Sequence, residues 1–237
     1  MTLSRYQFAC LQRMGIDVWL ARTTTPGDEA GLMPEIRALE VSAGSPVVMD
    51  KHCGLDTLRE QVAGCTRCTL HETRTQTVFG VGDRQADWMI IGEAPGADED
   101  RQGEPFVGRA GRLLNAMLLA IGLQREQVFI ANILKCRPPD NRDPKLEEVT
   151  ACEGYLNRQI ELVDPKIILA VGRIAAQNLL KVDTPIGRMR GQRYAYGKTG
   201  RPVVVTYHPA YLLRSPLEKR KVWQDLQMAM RIYREIA

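Results

Sequence analysis

The sequence predicts an α/β domain of three layers, α/β/α, with a central four-stranded parallel sheet. Two observations lead there. From about residue 86, short β-branched runs alternate with helical segments, the pattern of a parallel sheet covered on both faces. Each run also ends in a polar or glycine-rich tag, and a parallel sheet gathers all such tags on one edge. The 237 residues suffice for one large domain, or a domain with an appendage, without a metal or disulfide to build the core.

In chain order, residues 1–25 are expected to form a short helix, with Phe8, Leu11, Met14 and Trp19 near helical spacing, and then an extended piece. Residues 26–50 hold Pro26, Pro34 and Pro46 with Gly27, Gly31 and Gly44 and read as an irregular connection. The first strand is Trp88-Met89-Ile90-Ile91, followed by a long loop and a helix from Gly111 to about Ile121. Val128-Phe129-Ile130-Ala131 is the second strand, followed by a Pro-rich loop and a helix from about Pro144 to Val163. The third strand, Lys166 to Val171, leads into a helix at 174–180. The fourth, Val203 to Thr206, precedes a loop and a terminal helix from about Pro216 to Ile236. Repeats and low-complexity tracts are absent from the sequence.

The bulk numbers exclude some classes. A quarter of the residues are charged and 44% are apolar, an ordinary globular balance. No apolar run approaches the roughly 20 residues of a membrane helix, and the opening MTLSRYQFACLQRM has no continuous apolar signal segment, so a cytoplasmic, non-membrane protein is expected. The net charge of +4 is unevenly placed: residues 1–64 hold 6 Lys/Arg against 8 Asp/Glu, leaving the remainder with 26 against 20. A basic body suits a polyanionic partner.

Six cysteines are present, at positions 10, 53, 65, 68, 136 and 152. Cys65-Thr-Arg-Cys68 has the spacing that lets two thiolates reach one metal, although redox pairs share it. With Cys136 and Cys152 it could complete a four-thiolate site for zinc or an iron–sulfur cluster. The plainer alternative leaves Cys136 and Cys152 as buried apolar cysteines. Cys10 and Cys53 read as structural.

The strand-end tags are Gly92-Glu93-Ala94-Pro95-Gly96, Asn132, Gly172-Arg173 and Tyr207-His208-Pro209. A Glu, an Asn and a His from distant positions would meet at one edge, where open α/β sheets bind ligands. Gly92 to Gly96 forms neither a Walker loop nor a G-x-G-x-x-G, which disfavours nucleotide binding by those devices. Asp98-Glu99-Asp100 reads as a solvated loop. Phe106, in a Gly/Pro loop, is suited to stacking on something flat. Asn132 offers the donor and acceptor that a pyrimidine edge matches, and His208 can donate to developing negative charge. Arg188, Arg190, Arg193, Lys198 and Arg201 lie near two tyrosines with no acid between, and Arg214, Lys219, Arg220 and Lys221 follow; such clusters suit a nucleic-acid backbone or a basic surface hairpin.

GEAPGADEDRQGEPFVG, ANILKCRPP and HPAYLLRSP resemble the signature stretches of the family 4, iron–sulfur uracil-DNA glycosylases, in the right order and at the ends of the right strands. The resemblance covers roughly residues 60–237 and implies a uracil-DNA glycosylase-like fold. It divides the chain into an N-terminal extension, 1–55, and a glycosylase domain, 56–237. It further implies a [4Fe–4S] cluster on Cys65, Cys68, Cys136 and Cys152, structural rather than redox-active. The implied substrate is uracil in single- or double-stranded DNA, flipped from the stack and released by hydrolysis of its N-glycosidic bond. Phe106 would then stack on the base beside Gly92, Asn132 would read the edge that separates uracil from cytosine, and His208 would stabilise uracil O2 as the bond breaks. Glu99 would crowd the C5 position against thymine. Leu212 is the expected wedge, with Arg214 and Arg109 on the DNA.

One departure concerns the attacking water. Other branches of the superfamily place an Asp two residues after the first motif glycine; Ala94 stands there in this chain, as the family 4 pattern expects, and Glu93 is the nearest carboxylate. Residues 1–55 are expected to cover the body or dock a repair or replication partner, and the protein is expected to be a monomer. Three competing readings are a covalent DNA binder, a non-catalytic cluster or zinc protein on nucleic acid, and a hydrolase of free nucleotides. The first wants a histidine in an inserted basic loop, which 98–106 lacks. The second has no need for Glu93, Asn132 and His208 together, and the third has none for a basic tract or wedge.

Overall fold

The computed structural model describes residues 54–237. The short helix, the irregular connection, Cys10, Cys53 and the covering or docking role expected of the N-terminal segment lie outside the described residues.

Four parallel strands form the middle of the sheet: β2 (Trp88–Gly92), β3 (Phe129–Asn132), β4 (Ile167–Val171) and β6 (Arg201–Thr206). Two antiparallel edge strands enlarge it, β1 (Val81–Gly82) on β3 and β5 (Arg193–Tyr196) on β6. The sheet is therefore mixed and six-stranded, in the order β1-β3-β2-β4-β6-β5, and not the purely parallel four-stranded sheet expected. Two residues are too few for β1 to show a period. β5 lies in the Arg/Tyr stretch, where its alternation reads as a basic tract.

The parallel strands are buried almost throughout, and their side chains alternate between two cores. Met89, Ile91, Phe129, Ala131, Ile168 and Ala170 face the layer of α1 (Leu55–Ala63), α4 (Leu146–Val163) and α5 (Arg173–Leu180). Trp88, Ile90, Ile130, Ile167, Leu169 and Val204 face that of α3 (Arg109–Ala120) and α8 (Lys219–Ile236). This is the three-layer arrangement. Three short helices complete it among the described residues: α2 (Ala97–Gln102), α6 (Ile186–Met189) and α7 (Pro209–Arg214). The acidic run expected to be a solvated loop is part of α2, and Asp100 is buried with its carboxylate accepting from the Thr75 amide at 3.0 and 3.1 Å.

From β2 the chain moves to β3 on one side and then to β4 on the other, so the strand order diverges at β2. The crevice beyond the carboxyl end of such a strand is where α/β sheets bind ligands. Gly92 ends β2 at that point.

Candidate active site

The sheet register sets the first half of the site. Gly92 and Asn132 are paired neighbours at the ends of β2 and β3, and the chain continues across the gap through Ile133 N–H to Gly92 O (2.9 Å) and Leu134 N–H to Glu93 O (3.0 Å). The Asn132 side chain is buried, 2% exposed, and its Oδ1 has no hydrogen-bond partner. Leaving a buried amide oxygen unpaired costs about 1–3 kcal/mol, a cost relieved by a ligand that supplies the donor. Gly92 is required beside it: a Cβ there would lie 2.4 Å from Asn132 Oδ1 and 2.7 Å from Phe106 Cζ. Asn132 and Phe106 thus meet over the missing side chain of Gly92.

Phe106 reaches that meeting point from the loop between α2 and α3, with a left-handed backbone at φ 55°. Non-glycine residues hold that conformation only where the surroundings enforce it. The Glu99 carboxylate accepts from the amides of Gly96 (3.1 Å), Val107 (3.1 Å) and Gly108 (3.4 Å), tying both flanks of the loop together. Arg125 donates to the Pro105 and Phe106 carbonyls and to Asn115 Oδ1. Gly111 lets α3 press on the loop, since a Cβ there would fall 1.7 Å from Phe106 O. Phe106 is accordingly buried, and its ring stacks at 5.5 Å and 30° on the imidazole of His208.

His208 follows β6 and caps α7, its Nδ1 accepting from the Ala210 amide at 3.1 Å. That bond leaves the proton on Nε2, a donor directed away from the helix. Burial, with the Arg214 charge adding to it, pushes the imidazole down to about 4, so it is neutral near pH 7. Gly172, at φ 101°, makes room: a Cβ there would lie 3.0 Å from His208 Cβ. Behind His208, the buried Asp225 accepts from Thr206 Oγ1 (2.7 Å) and Arg190 Nε (2.7 Å), while Arg190 covers the Tyr207 ring at 4.5 Å. This pins the strand end that carries the histidine.

Glu93 is half-buried at the same edge. Burial, reinforced by Asp143 and opposed by Arg173, raises its carboxyl to about 7. Asp143 and Arg173 form an ion pair at 2.6 Å.

The rim differs from expectation in two places. Leu212 is 0% exposed, packed in the core against α3 and α8, and cannot be a wedge; Leu213, 38% exposed, stands on the solvent face of α7 beside exposed Tyr211 and Arg214. Successive helical residues point about 100° apart, and sequence order alone does not say which leucine faces in. The basic tract is also largely consumed internally. Arg190 pairs with Asp225, Arg193 with Glu235 and Arg201 with Asp164, leaving Arg188 and Lys198 exposed. Arg109 begins α3 and is exposed.

Cys65, Cys68, Cys136 and Cys152, all unoxidised, line a common cleft between α1 and α4 on the opposite face of the sheet from α3. Burial raises the thiols of Cys68, Cys136 and Cys152, the last to about 12; at Cys65 burial is outweighed by hydrogen bonding with Tyr155 and Arg67, and its thiol lies below the ordinary value. Among the described residues no three His, Cys, Asp or Glu side chains are placed to share one metal ion. Sulfurs on one zinc lie only about 3.8 Å apart at tetrahedral geometry, whereas the sulfurs of a four-iron cubane each bind a separate iron and stand wider. Cations ring the cleft: Arg74 donates to Cys136 Sγ (3.2 Å), Arg67 lies over Tyr155, and Lys135 gives its amide to Cys152 Sγ (3.3 Å). Four thiols with surrounding positive charge fit an anionic cluster. Nothing in the pattern assigned a role to Arg125, to Lys135 within ANILKCRPP or to an Arg190–Asp225 pair, because a lone cation reads as surface until its burial is known.

The family described as the uracil DNA glycosylase superfamily matches residues 79–227. A Type-4 uracil-DNA glycosylase of Archaeoglobus fulgidus is 46% identical over 179 residues, covering 73% of this chain and 90% of that protein. The Type-4 uracil-DNA glycosylase of Sulfurisphaera tokodaii is 42% identical over 180 residues, 73% of this chain and 82% of the relative. That of Thermotoga maritima is 40% identical over 178 residues, 74% and 92%.

Proposed function

The chain belongs to the uracil DNA glycosylase superfamily, and on that premise we infer that it excises uracil from DNA, hydrolysing the N-glycosidic bond and leaving an abasic site for base excision repair. The observation that carries the inference to residues is the unpaired, buried Oδ1 of Asn132 facing Phe106 across Gly92, with neutral His208 stacked behind.

A uracil flipped from the stack lies on Phe106 and satisfies the Asn132 amide with its own edge. Cytosine offers the opposite donor and acceptor pattern there, and a site with a buried hydrogen-bonding group rejects a mismatched partner strongly. As the bond to C1′ breaks, negative charge grows on uracil O2. The Nε2–H of a neutral imidazole meets it without the proton transfer that a charged one invites, and the fixed tautomer means no reorganisation at that moment. The sugar becomes cation-like and water attacks it. Glu93, in its ionised form, polarises that water. Glu99 acts on the pocket through the loop that it braces. Leu213 enters the gap left by the flipped nucleotide, and Arg214 and Arg109 lie on phosphates.

Cys65, Cys68, Cys136 and Cys152 would hold a [4Fe–4S] cluster, whose contribution would be to cross-link the segment that follows α1, the β3–α4 segment and α4. Arg67, Arg74 and Lys135 offset its charge.

The test uses an oligonucleotide with one uracil. Release of free uracil, identified by mass spectrometry, with an abasic site left in an intact strand, is the expected result. Strand cutting without free base, or DNA binding with no release by iron-replete protein, contradicts the reading.

A further inference from the structure

Lys135 is an anomaly of the interior. It is 1% exposed, and among the described residues its ammonium finds no carboxylate: Nζ donates to the Asn132 carbonyl at 2.8 Å and to Gln159 Oε1 at 2.5 Å. Gln159 is itself wholly buried on α4, and its Nε2 donates to Phe79 O at 2.8 Å, which fixes the orientation of the amide that receives the lysine. The other end of Lys135 looks toward the cysteines. Its backbone N–H donates to Cys152 Sγ at 3.3 Å, and Cys136 is the next residue. Lys135 lines the same cleft as the four cysteines. Buried charges persist only where they are paired and fully hydrogen-bonded.

The acceptor that Lys135 chooses matters. β3 ends at Asn132, so the Asn132 carbonyl lies where the ladder runs out, and the chain turns back through Ile133 and Leu134. Three residues on, the lysine folds over and caps that carbonyl. The peptide it holds carries the amide side chain that reads the base.

We propose that Lys135 is a positioning residue that ties the four-cysteine site to the uracil pocket, bracing the Asn132 backbone from the cluster side while supplying the cluster with a buried counter-charge. The proposal rests on the glycosylase reading above and extends it. The ammonium is held laterally by Gln159. Its remaining hydrogen bond fixes the Asn132 peptide, and through it the angle at which the side-chain amide meets the base.

The experiment compares the wild-type holoprotein with Lys135→Met, Gln159→Leu and Asn132→Ala, using four readouts: iron content, inhibition by free uracil, steady-state kinetics on uracil-containing DNA, and binding to abasic-site DNA. Partners that orient a functional group from behind typically matter by about 10–100-fold. Lys135→Met is expected to keep its iron and its abasic-DNA affinity, while free uracil binds about tenfold more weakly and kcat/KM falls by about the same factor. The reduction potential of its cluster moves to a more negative value, because a nearby positive charge is gone. Gln159→Leu leaves every thiol and Lys135 in place, and a smaller loss of uracil affinity with unchanged iron is expected. Wild-type uracil affinity in Gln159→Leu, or in iron-replete Lys135→Met, overturns the proposal, whatever the stability of either variant; so does an unmoved potential in Lys135→Met. Should Asn132→Ala also bind uracil normally, the pocket assignment fails rather than the link to it.

Discussion

Gly92→Ala isolates the pocket from the fold. The added methyl would lie 2.4 Å from Asn132 Oδ1 and 2.7 and 2.8 Å from Phe106 Cζ and Cε2, so something must move. What must move are side-chain tips rather than backbone, which keeps the stability cost near the low end for overpacking, about 1 kcal/mol. In a domain of this size that is a drop of about 2–4 °C in Tm. The functional cost is larger, because those tips are the atoms that stack on and read the base. A displacement of about 1 Å at such atoms lowers rates by about a hundredfold. Gly111→Ala is the control: its methyl would fall 1.7 Å from the Phe106 carbonyl, a backbone atom, and should unfold the loop and lower Tm much further. Melting curves beside kcat/KM on a uracil oligonucleotide make the comparison. A Gly92→Ala protein with kcat/KM within threefold of wild type would refute the claim that these three residues share one pocket.

Glu93 gives a pH signature. With its carboxyl raised from 4.5 to about 7, kcat/KM should rise with pH to a plateau above about 7, and Glu93→Gln should be slower with a flat profile. The folded carboxyl holds its proton to a higher pH than the unfolded one, so stability should fall as pH rises from 4.5 to about 7, a slope that urea titrations of Glu93→Gln should no longer show. At α7, Leu212→Ala should cost about 2–5 kcal/mol by leaving a core cavity, whereas Leu213→Ala should leave Tm unchanged and lower activity on duplex DNA more than on single strands. Cys68→Ser should lose the brown colour and iron of the cluster, and the protein should melt at a lower temperature than wild type.

Much of this was legible in the sequence because the relevant physics is local. Strands such as Ile167–Val171 are apolar on both faces, and their end tags must share an edge once the strands are parallel. That alone brings Gly92, Asn132 and His208 together. The edge strands were not legible: Val81–Gly82 is too short to carry a period, and Arg193–Tyr196 looks like basic surface because Arg193 finds its acid, Glu235, far along the chain. Leu212 and Leu213 illustrate a different limit, since a six-residue helix offers too few positions to fix its phase. Phe106 looked like a loop aromatic and proved buried, because Glu99 and Arg125 clamp a backbone that no pattern announces. The buried role of Lys135 was not legible for a related reason: it depends on Gln159 and two cysteines that only the fold assembles.

The central claim is that the Asn132 amide reads a uracil held on Phe106. Its most direct test incubates iron-replete wild-type protein and Asn132→Ala with end-labelled oligonucleotides carrying uracil, cytosine or thymine at one position, followed by alkali. The account predicts cleavage at uracil alone, lowered by about a hundredfold or more in the variant while abasic-site DNA still binds. Equal cleavage by both proteins would contradict it.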